Sequence, residues 1–229
     1  MTTPQGSFDG FPKGVKEFLE NLPFSNTLAA KEENIIDYKR LITRPLEKLY
    51  EALLPAVYEI SENLDTKKAR CVSSPYNDMR FSPKAPLREY VYIRFRLYGR
   101  EENCPGLYFD MGSEYFSYGI WIFKRTTSGI KALHESMIDK QSDYSKAFEN
   151  ALSAGLSIGG EKYKKDHYPD IPDSPLKDML NRKMFYIGVE FPINETIYTP
   201  ALAEEISKGF YSLSKLVRLL ENETFVFKD

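Results

Sequence analysis

The feature that most constrains the fold is a segment in which apolar and polar positions alternate. In Tyr90–Tyr98 every second residue is apolar, the set being Val91, Ile93, Phe95 and Leu97. A period of two residues is typical of a strand with one buried and one solvated face, which is common in antiparallel sheets. Gly106–Met111 and Glu114–Phe123 follow as further strands, and Arg70–Ser74 precedes as a predicted fourth. Consecutive strands of this kind predict an α+β fold.

Helical periodicity dominates the two ends of the chain. Apolar residues along Leu46–Leu64 follow one helix face and continue past Pro55, where we predict a kink or two abutting helices. A second stripe runs along Leu202–Leu220, after a late strand at Phe185–Phe191. Both stripes need an apolar partner, which the alternating strand offers. We therefore predict one α+β domain over residues 1–229, with a central antiparallel sheet and the N-terminal and C-terminal helices packed on one face.

Composition limits the class of protein. Of the 229 residues, 42% are hydrophobic, which allows a sizeable core and argues against a disordered chain. Lys and Arg number 31 against 33 Asp and Glu, so the chain lacks the positive charge of a dedicated nucleic-acid binder. The N-terminus has no secretory pattern, and no apolar run reaches the ~20 residues of a membrane-spanning helix. We expect a cytoplasmic protein with neither a nucleic-acid nor a membrane partner.

Residues that hold metals and cofactors are scarce. The chain has two cysteines without a C-x-x-C pair, and two histidines. It also lacks the glycine-rich phosphate loops and the nucleophile elbow of the familiar enzyme classes. We therefore expect no metal and no cofactor. Whether the protein is an enzyme is left open, because a motif-poor enzyme remains compatible with the sequence.

The segment Asn77–Glu89, N-D-M-R-F-S-P-K-A-P-L-R-E, is the strongest candidate site, and we call it the basic loop. Three cations recur in it every fourth residue, but two prolines exclude the helix that this spacing suggests. Its candidate ligand-binding residues are Asp78, Arg80, Ser82, Lys84 and Arg88. Arginine and lysine suit a carboxylate or phosphate. The leading hypothesis is therefore a binding module for a small anionic ligand, gripped by Arg80–Arg88, with Phe81 anchored inward.

A structural role for the same loop is the alternative. Asp78 and Glu89 would pair with the cations, and Arg80 would pin the loop to the sheet. Breaking such a buried pair would cost stability, whereas loss of an exposed ligand contact would not. The sequence leaves both interpretations open.

Two further groups of residues support rival functions. Aromatic residues cluster on the central strands, namely Tyr108, Tyr115, Tyr118 and Trp121. They could line a ligand cavity, with Trp121 as a ligand-binding residue, or form a sheet face that docks a partner or a second copy. Core packing explains the same residues, and the usual burial preferences favour it. His167 lies beside an acid and is also a candidate ligand-binding residue. A motif-poor enzyme with His167 or Asp78 as the acid-base group is the remaining hypothesis.

Several segments carry a resemblance to a known family. They are F-D-G-F at Phe8–Phe11, F-L-E-N-L-P-F-S-N at Phe18–Asn26, the basic loop, S-Y-G-I-W at Ser117–Trp121 and D-H-Y-P at Asp166–Pro169. In these segments the chain resembles the domain-of-unknown-function family 2461 over nearly its whole length. It departs from the family pattern at Asn77, where arginine is usual, and at Tyr168, which interrupts a His-Pro pair. The resemblance implies a shared fold and carries no assigned activity.

Overall fold

An antiparallel sheet of five strands lies at the centre of the protein, in a computed structural model that describes residues 7–98, 104–122 and 127–223. The strands are β1 (Val91–Arg96), β2 (Gly106–Met111), β3 (Tyr115–Ile122), β4 (Ser157–Gly159) and β5 (Phe185–Pro192). Their spatial order is β1-β2-β3-β5-β4, and each neighbouring pair is antiparallel. The predicted α+β class and antiparallel sheet are confirmed. Phe123, the predicted end of the third strand, lies outside the described residues.

The strand register gathers apolar side chains on one face of the sheet, because residues opposite each other point to the same side. One cross-strand row contains Ile93, Phe109, Tyr118 and Val189, and the next contains Phe95, Leu107, Ile120 and Ile187. We call this side the core face. The alternate residues of every strand point to the opposite side, which we call the open face.

Helices surround the core face. They are α1 (Val15–Ser25), α2 (Lys31–Tyr38), α3 (Arg44–Ile60), α4 (Lys68–Cys71), α5 (Thr127–Asp139), α6 (Gln141–Ser153), α7 (Pro175–Leu180), α8 (Ala201–Ser212) and α9 (Ser214–Glu221). A π-helical turn at Lys39–Thr43 joins α2 to α3. In the part of the chain that is described, no helix has the length and apolar character needed to cross a membrane.

Helices from both ends of the chain pack on the core face, as predicted. The ring of Phe95 in β1 stacks on Tyr50 of α3 with 5.8 Å between ring centroids. On its other side it meets Phe210 of α8 edge-on at 6.3 Å. All three residues belong to one continuous cluster of buried side chains that reaches from Phe8 to Leu220.

Two predicted elements differ from the structure in extent or type, whereas helix α3 runs through Pro55 as one element, which excludes only the predicted alternative of two abutting helices. The stripe at Leu202–Leu220 is divided at Leu213 into α8 and α9. The strand predicted at Arg70–Ser74 is wrong, because this stretch begins inside the short helix α4 and then makes only an isolated bridge, from Val72 to β1. The backbone N–H groups of residues 70–72 donate to carbonyls of α4 and its N-cap, which leaves them unable to extend the sheet.

Candidate functional site

The basic loop projects beyond the edge strand β1 as an irregular hairpin. The backbone N–H of Asn77 donates to the carbonyl of Pro86 at 2.9 Å, and that of Arg88 donates to the carbonyl of Pro75 at 2.9 Å. Between these bonds, residues 78–85 form turns, and the segment is not helical, as its prolines predict. The tip of the loop is therefore fixed at its base and extends into solvent.

The cations at the tip do not hold the loop to the sheet. Arg80 has 83% of its side chain exposed and pairs with Asp78, two residues away, at 2.6 Å. That hydrogen bond lowers the pKa of the Asp78 carboxyl from its usual value. Phe81 is 83% exposed, so its predicted inward anchor is wrong. Lys84 is also exposed, and Ser82 is half-buried.

Arg80→Ala is therefore expected to leave the urea midpoint of unfolding unchanged within error. The pair that it breaks is exposed, and exposed pairs contribute little to stability. A matched control is Arg182→Ala, which removes a buried guanidinium that donates to the carbonyl of Gly160 at 2.7 Å and should lower the midpoint. A large loss of stability in Arg80→Ala would show that Arg80 has a structural role.

Asparagine side chains hold the base of the loop instead. Asn26, which is buried, donates to the carbonyl of Leu87 at 2.8 Å and accepts from its N–H at 2.9 Å. Asn77 donates to the carbonyls of Ala85 and Leu87, at 2.9 and 2.8 Å. The hydroxyl of Tyr38 donates to the carbonyl of Arg88 at 2.9 Å. Asn26 is the last residue of one of the segments that resemble the family, so the sequence pointed to this residue. The sequence did not predict that Asn26 bonds Leu87.

The open face of the sheet carries a second set of candidate residues, which the cross-strand register brings together. One row contains Tyr92, Asp110, Ser117 and Glu190. The next contains Arg94, Tyr108, Gly119, Gly188 and Ser157. A third contains Arg96, Gly106, Trp121, Tyr186 and Gly159. Charged, hydroxyl and aromatic side chains therefore alternate with glycines across this face.

Aromatic rings of the open face lie across glycines of neighbouring strands. A Cβ atom on Gly106 would come within 2.9 Å of the Trp121 ring, and one on Gly159 would overlap the ring of Tyr186. A Cβ atom on Gly188 would also come too close to an aromatic side chain, at 2.5 Å from the Tyr108 hydroxyl. Since a glycine leaves room above its backbone, these rings can lie low against the sheet. They form the floor and walls of a shallow recess.

This recess is a cavity of about 340 Å³, which we call the sheet pocket. Its polar lining consists of Arg94, Asp110, Ser117, Ser157 and Glu190, and its aromatic lining of Tyr108, Tyr115, Trp121 and Tyr186. Two further cavities, one beside α7 and one beside α1, are also lined by described residues. None of these three cavities includes a residue of the basic loop.

The charged groups of the sheet pocket are arranged around Arg94. Its guanidinium lies 4.1 Å from the ring centroid of Tyr92 and 5.5 Å from that of Trp121, both within cation–π range. One guanidinium nitrogen is 3.7 Å from Asp110 Oδ1, too far for a hydrogen bond. Burial raises the pKa of the Asp110 carboxyl to about 6, and the charge of Arg94 opposes that rise only in part. Among the described residues, Asp110 Oδ1 has no hydrogen-bond partner.

The residues predicted from the sequence are distributed over three places. Trp121 lies in the sheet pocket. Arg88 does not line this pocket, but its guanidinium is 5.5 Å from the ring of Tyr92 on the open face. The other candidates of the basic loop, Asp78, Arg80, Ser82 and Lys84, lie in residues 78–85, where three of the four side chains are exposed. His167 lies in neither place.

His167 belongs to the loop between β4 and α7. Its ring stacks on Tyr163 at 4.3 Å, and its backbone N–H donates to Oδ1 of Asn181 at 2.9 Å. The other histidine, His134 of α5, is buried, and its Nδ1 lies 3.0 Å from the hydroxyl of Tyr168. Tyr168, the residue that departs from the family pattern, therefore packs its loop against α5. Burial lowers the pKa of His134 to about 4.

The comparisons with known proteins decide the family. The sequence matches the model of a family described as "Conserved hypothetical protein (DUF2461)" over residues 15–219, which is most of the chain. The chain belongs to the DUF2461 family. No curated protein and no solved structure was found to match it. Within this DUF2461 protein, the segment that ends at Asn26 and the basic loop meet through the hydrogen bonds to Leu87.

Proposed function

We propose that the protein binds a small organic molecule in the sheet pocket. The observation that supports this most strongly is the convergence of charged, hydroxyl and aromatic side chains from all five strands on one cavity. Its volume of about 340 Å³ falls in the range of small-molecule sites, roughly 300–1,000 Å³. The aromatic rings supply stacking surface, and the few polar groups would fix the orientation of the ligand.

The cation that contacts the ligand would then be Arg94 of the sheet, whereas the sequence analysis expected the cations of the basic loop. Arg80 already bonds Asp78 and lies in solvent, whereas Arg94 lies in a cavity between two aromatic rings. Arg88 contacts the ring of Tyr92, which lies against Arg94, so the base of the loop would support the pocket from outside its lining. Anion binding by the tip itself stays a prediction.

The accessible part of the aromatic lining is small. Trp121 and Tyr108 are 4% and 8% exposed, because neighbouring side chains cover their rings, whereas Tyr115 and Tyr186 are 36% and 45% exposed. A ligand would therefore contact the rings of Tyr115 and Tyr186, and a cavity of about 340 Å³ fits a small molecule.

Trp121 provides the test, because it is the one tryptophan in the sequence and it lines the pocket. A screen of small metabolites should yield compounds that change its fluorescence and raise the melting temperature. Tyr186→Ala should weaken their binding about tenfold or more, since loss of one stacking contact costs ~1–3 kcal/mol. Tyr58→Ala on α3 is the matched control, because Tyr58 is 58% exposed and does not line the pocket; it should leave binding unchanged.

Two results would contradict the proposal. One is a broad screen in which no compound alters the emission of Trp121. The other is a compound that binds equally well to Tyr186→Ala and to the wild-type protein, because its site would then lie elsewhere.

A further inference from the structure

The accessible aromatic rings lie at opposite ends of the sheet pocket. Tyr115 pairs with Pro192 at the start of β3, whereas Tyr186 pairs with Trp121 near the end of that strand. A strand rises about 3.4 Å per residue, so the backbones at the two ends are roughly 20 Å apart along β3. Tyr115 and Tyr186 are partly exposed, whereas Trp121 is buried. A ligand that packs on both accessible rings is therefore elongated and lies along the strands.

Hydrogen-bonding groups occupy the length between these rings. The direct cross-strand neighbours of Ser117 on the open face are Asp110 on one side and Glu190 on the other. Arg94 reaches the same region from β1, since its guanidinium lies 5.5 Å from the ring of Trp121 on β3. The side chains of Arg94 and Asp110 are 28% and 25% exposed, and Glu190 is exposed. A ligand above Ser117 would meet hydrogen-bond acceptors on both sides and a strong donor on one of them.

We infer that the ligand is a short oligosaccharide without charged groups, with sugar rings packed on Tyr115 and Tyr186 and hydroxyl groups bonded to the charged side chains between them. This inference rests on the proposed function. A hydroxyl group both donates and accepts, so neighbouring hydroxyls can donate to Asp110 and accept from Arg94, whose nearest atoms are 3.7 Å apart. The C–H face of a sugar ring packs on an aromatic ring by dispersion. A phosphate or carboxylate on the ligand would meet two carboxylates and one guanidinium, which disfavours it.

A chain of sugar units suits the pocket better than one compact ring. Apolar C–H faces and hydroxyl edges repeat from one unit to the next, as aromatic and polar side chains do from Tyr115 through Ser117 to Tyr186. A purine or a single sugar that packs on Tyr115 is too short to reach Tyr186. Hydroxyl groups also surround each sugar ring, which lets one unit bond carboxylates on two opposite sides.

The experiment compares neutral oligosaccharides with shorter, charged and flat compounds. The panel contains cellobiose, maltose, lactose, sucrose, trehalose, cellotriose and maltotriose, with adenine and nicotinamide as flat rings. Calorimetry and saturation-transfer NMR measure binding, because sugars raise melting temperatures without specific contact. At least one oligosaccharide should bind about tenfold or more tightly than its own monosaccharide unit, which loses the contact with one aromatic ring. Its own phosphate ester should also bind more weakly.

Variants assign the binding to the pocket. Hydrogen bonds to charged groups are the stronger ones, so Asp110→Asn or Glu190→Gln, or both, should weaken binding of that oligosaccharide about tenfold. Tyr115→Leu keeps an apolar side chain but removes the aromatic face, and it should weaken binding in the same direction. Asp170→Asn, an exposed acid outside the pocket lining, should leave the affinity unchanged.

The outcomes separate this inference from the proposed function. The inference is overturned if the monosaccharide or the phosphate ester binds as tightly as the oligosaccharide, or if neither carboxylate variant changes the affinity. Binding of flat rings or other metabolites in the pocket, when no oligosaccharide binds there, overturns the inference and leaves the proposed function in place. If no compound of any class binds in the pocket, both fall.

Discussion

Replacing Asn26 with alanine is expected to lower the free energy of unfolding by about 2–3 kcal/mol. Asn26 is 5% exposed, and its side chain satisfies the N–H of Leu87 across a separation of 61 residues. Without it, that buried N–H loses its partner, whereas the carbonyl of Leu87 keeps the bond from Asn77. A buried donor without a partner costs ~1–3 kcal/mol. The loss of the bonds from Asn26 to the carbonyl of Leu87 and to Glu89 adds to this cost.

Urea unfolding measures the loss, with Asn34→Ala as the matched control. Asn34 is a half-buried asparagine whose amide makes a solvent-exposed hydrogen bond to the carbonyl of Ser25 at 3.0 Å, so its replacement should change stability by no more than about 1 kcal/mol. Equal midpoints for Asn26→Ala and Asn34→Ala would mean that the base of the basic loop is held by other contacts.

Asp110→Asn is expected to stabilise the protein above about pH 6, by up to about 3 kcal/mol, and to have no such effect near pH 4. Burial raises the pKa of Asp110 from 3.8 to about 6 in the folded protein. The folded state therefore holds a proton that the unfolded state releases, and stability falls as the pH rises from about 4 to about 6. Asparagine stays neutral and removes that loss.

The measurement is urea unfolding of both proteins at about pH 4 and about pH 8. The two free energies of unfolding should differ at the higher pH and approach each other at the lower one. Asp170→Asn, an exposed control, should follow the wild-type protein at both. A variant that is less stable than the wild-type protein at the higher pH would show that the Asp110 charge, with Arg94, stabilises the fold.

Local patterns of the sequence were sufficient for the sheet and for the side of it that carries the core. The alternation in Tyr90–Tyr98 assigns Ile93 and Phe95 to one face and Arg94 to the other, since side chains alternate along a strand. The order of the strands is not a local property. β5 lies between β3 and β4, which places Tyr186 opposite Trp121 and Gly188 opposite Gly119. The sequence therefore indicated Trp121, Tyr108 and Tyr115 as candidates for a cavity. It did not indicate Arg94, Asp110 or Tyr186, which the strand order brings beside them.

The basic loop shows the opposite case, in which a local pattern was not sufficient to place the side chains. Arg80 and Asp78 are two residues apart and satisfy each other in solvent. The proline spacing correctly excluded a helix, yet it did not specify the direction of Phe81, which points into solvent. What fixes the loop is Asn26, and the contact between Asn26 and Leu87 depends on the packing of α1 and on no sequence neighbour.

A crystal structure with the compound that changes Trp121 fluorescence most would test the central claim directly. The account predicts density for the compound in the sheet pocket, against the ring of Tyr115 or Tyr186, with a polar group within hydrogen-bond distance of Asp110 or Arg94. Density at the tip of the basic loop, against Arg80 and Lys84, with an empty sheet pocket would contradict it.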